Sequence, residues 1–123
     1  MNYFIITETD GTLQSTSFAR QVTSRWPLAT LEDIRDPASS HVLEFRIPMA
    51  HSRVDGSLNR AGSALVFVGD FRDCAELALW CRSLVPLDET LTLCDEGMSG
   101  TLELTQETTA ADIYAAFRYQ PPS

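Results

Sequence analysis

Lysine is absent from the 123 residues, histidine occurs twice, and nine arginines face 17 acidic residues for a net charge of −8. A chain so poor in cations is not built to wrap nucleic acid, whose phosphates demand a basic face. No apolar run approaches the roughly 18 residues that span a bilayer. The segment Met1–Glu8 has no basic stretch ahead of its short apolar run. It therefore does not read as a signal peptide, and the expected compartment is the cytoplasm, with no membrane partner. Cys74, Cys81 and Cys94 are odd in number and form no close pair. That argues against a disulfide framework or a zinc site and for buried free thiols. Gly62 and Gly69 stand alone, so no glycine-rich loop is available to cradle a phosphate. No repeat and no low-complexity tract is visible, and no cofactor is implied.

What is present is one domain's worth of globular composition, 44% hydrophobic and 21% charged. Tyr3–Thr7 reads as a strand apolar on both faces, and Ala64–Val68 as a central strand covered on both sides. Between them, Ser15 or Ser17 caps a helix with Phe18, Val22 and Trp26 on one face, ended by Pro27. Residues 28–34 form a short strand. His41–Met49 alternates, with Leu43, Phe45, Ile47 and Met49 on one side, and Pro48 belongs at an edge or at the strand's end. Residues 50–62 read as a polar connection with at most a short strand around Leu58.

The clearest helix follows. Asp73 and Glu76 resemble a capping box, and Cys74, Leu77, Ala78, Cys81, Leu84 and Val85 make its apolar stripe before Pro86. Residues 90–94 and 101–105 alternate around Gly97 and Gly100 as a β-hairpin, and Thr108 or Thr109 caps a last helix. The expectation is an α+β fold. A mostly antiparallel sheet carries about three helices as a single-domain sandwich over residues 1–119, with a frayed tail over 120–123.

The charge is unevenly placed. Residues 83–117 contain no basic residue and seven acids, among them Asp88, Glu89, Asp95, Glu96, Glu103 and Glu107. Such a sector either keeps the chain soluble or meets a cationic partner. Asp95-Glu96 beside Gly97 offers a cation too few oxygens to count as a metal site. Trp80 falls off the apolar stripe of its helix. It either plugs a second edge of the core or stands as an aromatic anchor for a partner. His41 and His51 are the only side chains with an ordinary pKa near neutrality, so a small enzyme would have to use one of them.

The run Glu76-Leu-Ala-Leu-Trp-Cys-Arg-Ser-Leu-Val-Pro86, its sequel Leu91–Glu96, Gly100–Leu104 and the threonine-capped last helix are similar to segments of a known class. They resemble small acidic immunity proteins of bacterial polymorphic-toxin and secretion-system effector loci. The resemblance covers about residues 64–117 and implies a non-enzymatic inhibitor. Its partner would be a cognate basic toxin domain acting on nucleic acid, a nuclease or a deaminase. The six acids Asp88, Glu89, Asp95, Glu96, Glu103 and Glu107 are the expected binding residues. A different protein-binding inhibitor or adaptor is the alternative.

Overall fold

The computed structural model describes residues 1–121. Its elements are β1 (Tyr3–Thr7), α1 (Ser15–Arg25), β2 (Thr30–Asp33), β3 (His41–Pro48), β4 (Arg53–Asn59), β5 (Ala64–Val68), α2 (Phe71–Leu84), β6 (Leu91–Asp95), β7 (Thr101–Glu103) and α3 (Ala110–Ala116). The seven strands form one sheet in the order β2-β3-β4-β5-β1-β6-β7. Every neighbouring pair is antiparallel. The α+β architecture is as the sequence predicts. No helix among the described residues is long and apolar enough to cross a membrane.

The helices pack on one face of the sheet. Strand residues point alternately to the two faces, and the buried set marks the covered one: Ile5, Phe45, Ile47, Leu58, Leu65 and Leu93 are each at most 1% exposed. Phe18 of α1 meets Phe45 edge-on, and Phe71 of α2 and Phe117, the C-cap of α3, gather around Tyr3. Trp80 lies between α1 and α2, its ring 6.0 Å from Phe18 and 4.8 Å from Trp26. It packs against the core and stays partly exposed.

Several local expectations are corrected. Residues 53–59 form a full strand, because β4 buries only Val54 and Leu58 and shows polar residues on its other side. Gly56 is required there: a Cβ would lie 2.5 Å from the Phe45 ring and from the Val66 carbonyl oxygen. α1 begins at Ser15 behind Gln14, which makes no side-chain cap, so neither Ser15 nor Ser17 caps it. α2 is capped by Asp70, whose carboxylate accepts from the Arg72 backbone N–H at 2.9 Å and from its guanidinium at 2.9 and 2.8 Å. Arg72 thereby holds the Asp70 carboxyl down to about 2.

Asp73 is no cap. It is buried and accepts from the His51 N–H at 3.1 Å and the Ser52 hydroxyl at 2.7 Å, tying the β3–β4 turn to α2. At α3 the expected threonine cap is Thr109, in a full capping box with Asp112. Pro48 closes β3, as expected of a residue with no N–H to give. The expected tail over 120–123 lies in part outside the described residues.

The largest correction concerns coverage. β1 and β5 read as strands buried on both faces, yet the helices cover one face only. Ile6 and Val68 remain 42% and 41% exposed on the other.

Candidate functional site

Antiparallel pairing of β1 with β6 sets Thr7 opposite Leu91. The chain leaving β1 therefore meets the chain entering β6. At this edge the connection after α2 carries exposed Asp88 and half-buried Glu89. The end of β7 brings exposed Glu103, which pairs near Thr92, and the following turn brings exposed Glu107. A depression of about 360 Å³ is lined by Asp88, Glu89, Glu103 and Glu107. A neighbouring one of about 370 Å³ shares Asp88 and Glu89 and adds Glu8, Thr9 and Thr12.

Glu89 is fixed in place. Its Oε1 accepts from the Thr12 hydroxyl at 3.0 Å. Hydroxyl donation from Thr9 and Thr12, together with nearby backbone N–H groups, holds its carboxyl below the usual range. Hydrogen bonds to the ionised form keep the charge on.

Arg82 lines the floor of the first depression. It is 7% exposed. Its guanidinium donates to the carbonyls of Val85 at 2.9 Å, Pro86 at 2.6 Å, Glu89 at 3.0 Å and Leu104 at 3.3 Å. The cation is thus used to stitch the end of α2 to β6 and β7, and its buried Nε has no partner among the described residues.

The six sequence-predicted acids therefore divide. Asp88, Glu89, Glu103 and Glu107 come together. Asp95 and Glu96 lie at the far end of β6, roughly 13 Å along the strand at about 3.3 Å per residue. Asp95 is 2% exposed and accepts from the Ser99 N–H at 2.8 Å and from the Ser99 hydroxyl. It staples the β6–β7 loop and offers no surface carboxylate. Glu96 is exposed but reaches back, accepting from the Asn2 N–H at 3.0 Å. Glu8 belongs to the edge and was missed. The available signal was the register of β1 against β6, which a linear charge count does not contain.

The other candidates are apart from this edge. His41 Nε2 lies 2.9 Å from Glu44 Oε2, and its Nδ1 is 3.5 Å from the Ser39 hydroxyl. His51 is exposed in the β3–β4 turn, with its backbone held by Asp73. All three cysteines are free and buried. Burial pushes the Cys74 thiol up to about 12 and the Cys81 thiol higher still, so neither supplies a thiolate near neutral pH. Among the described residues no group of three or more His, Cys, Asp and Glu is placed to hold a metal ion. The chain matches no protein-family profile, no curated protein and no solved structure.

Proposed function

We propose that the protein is a non-enzymatic immunity protein that binds a cognate basic toxin domain and keeps it from its nucleic-acid substrate. One observation carries the reading. Glu8, Asp88, Glu89, Glu103 and Glu107 share one edge, and the nearby guanidinium of Arg82 is turned inward onto carbonyl oxygens. A domain that cuts or deaminates nucleic acid must attract phosphates, so its cleft is basic. A row of carboxylates competes for that cleft with the same sign of charge as the substrate. It steers encounter through long-range attraction and sets orientation on docking. The resemblance over residues 64–117 supports the same role. The chain acts in this reading as a lid of fixed charge, with no cofactor and no chemistry of its own.

The test is capture with the tagged chain from its native host, elution on a salt gradient, and assay of the recovered partner. The expected result is a partner of about one-to-one stoichiometry with a basic domain, released by salt and inhibited on nucleic acid when the chain is added back. A partner that stays bound at high salt, or whose activity the chain leaves intact, refutes the reading.

A further inference from the structure

The acidic edge accounts for the charge but not for the apolar residues on the uncovered face of the sheet. On β1 these are Phe4 and Ile6. Across the ladder, Phe4 pairs with Val66 and with Cys94, and Ile6 pairs with Ala64 and, on β6, with Thr92. Paired residues share a face, so these side chains form a strip along the middle of the sheet, prolonged by Val68. Phe4 and Val66 are half-buried by their neighbours, while Ile6 and Val68 are 42% and 41% exposed. A solvated face of an antiparallel sheet is normally polar at alternate positions. Here the polar positions are confined to the flanks. β3 and β4 follow that rule, and β1 and β5 break it.

The flanks say what fits on the strip. Toward β2 and β3 lie Glu32 and Glu44, opposite each other across the ladder; toward β7 lies Glu103. On β3 and β4, Asp55 is matched by Arg53 at 2.8 and 2.9 Å and by Arg46 across the ladder, so the acidic excess of this face lies at Glu32, Glu44 and Glu103. A second copy of this chain would set acids against acids, with −8 on each molecule. A cationic protein surface with an apolar centre is complementary to both parts, since lysine and arginine stems cover apolar surface while their charged ends reach the rim. Glu103 belongs to this face and also to the acidic edge, so the two surfaces are continuous.

Area points the same way. Seven strands about 4.8 Å apart and some five residues long present a plane on the order of 500 Å². A standard interface buries about 800 Å² per partner. The face alone supplies more than half of that size.

We propose that the open face of the sheet, centred on Ile6 and Val68, is the principal docking surface for a basic protein domain carrying an apolar ridge. The acidic edge serves as its electrostatic guide. This rests on the reading above that the partner is a cationic protein. It adds that the strip supplies the apolar part of the grip, while the charged rim and the acidic edge keep the complex sensitive to salt.

The experiment places the photo-crosslinking residue p-benzoylphenylalanine singly at Ile6, Val68, Asp88 and Gln21 of the tagged full chain in its native host. Gln21 is exposed on α1, across the helical layer from the open face. The expected result is crosslinking from Ile6, Val68 and Asp88 to one protein, in a segment rich in lysine or arginine, and none from Gln21. Crosslinks from Asp88 alone would overturn the docking face and leave the acidic-edge reading standing. Crosslinks from Ile6 and Val68 to a second copy, seen also as a dimer in sedimentation velocity of the purified chain, would overturn it too. An absence of crosslinks at all three positions would overturn both. As a second variant, Ile6→Asp with Val68→Asp should lower partner recovery at least tenfold with an unchanged circular-dichroism spectrum. Undiminished recovery contradicts the proposal.

Discussion

On β5 the same five residues serve two different surfaces. Leu65 and Phe67 are 0% and 1% exposed beneath the helices, while Val66 and Val68 between and beside them look out from an uncovered face. On β3 the two surfaces are told apart by chemistry: Leu43, Phe45 and Ile47 inward, Glu44 and Arg46 outward. The difference teaches that an apolar residue on a strand reports a surface that will be dry, and not always one dried by its own chain. β3 ends its requirements within the fold. β1 and β5 leave one unmet.

The sharpest break between the faces is energetic. Phe67→Ala should cost about 3–5 kcal/mol in urea unfolding, the usual range for a large aromatic removed from a packed core. Val68→Ala, one residue on, should cost about 1 kcal/mol or less. Similar costs at both positions would mean that the open face is covered within the chain.

Arg82→Met comes next. It leaves four carbonyl oxygens without their donor. Unfolding free energy should fall by about 3 kcal/mol, since hydrogen bonds to a charged group are worth more than neutral ones and the carbonyls remain buried. The surface carboxylates are untouched, so the folded variant should bind its partner as before. A binding defect without a stability defect would make Arg82 part of the interface.

The acidic edge should behave in the opposite way. Asp88→Lys with Glu103→Lys should change stability by about 0.5 kcal/mol or less. It should slow association with the partner by about tenfold or more at low salt and flatten the salt dependence of the rate, as measured by stopped flow.

The smallest effect is that of pH. Arg72 lowers the Asp70 carboxyl to about 2, and Thr9 and Thr12 lower that of Glu89. Both groups therefore favour the fold fully above the unfolded carboxylate value of about 4, and their contribution fades as pH falls through their folded values. Thermal melts should drop between about pH 4 and pH 2, and Asp70→Asn should shrink the drop. A melt that rises with acid in that window would contradict the assigned hydrogen bonds.

Much of this was legible in the residues. The stripe from Cys74 to Leu84 is a helix, with Val85 in its extended C-cap, the alternation around Gly97 and Gly100 is a hairpin, and Thr109 caps the last helix. β4 was hidden because only two of its seven residues are buried and its glycine answers to Phe45, a residue distant in sequence. The true cap of α2 lay three residues earlier than expected, because Asp73 is drawn inward by Ser52. In the site, Asp88, Glu89, Glu103 and Glu107 could be found by charge alone, since β6 and β7 are adjacent in sequence. Glu8 could not, because it depends on which strand β6 chooses as its other neighbour. Asp95 counts as a charge in the sequence but is consumed by Ser99 in the fold.

Hydroxyl-radical footprinting of the free chain and of the chain bound to its captured partner is the most direct test. It reads the exposure of Ile6, Val68 and the control Leu28, which is 80% exposed in the α1–β2 connection. The account predicts that oxidation of Ile6 and Val68 falls severalfold in the complex while that of Leu28 is unchanged. Equal oxidation of Ile6 and Val68 in the two states would contradict it.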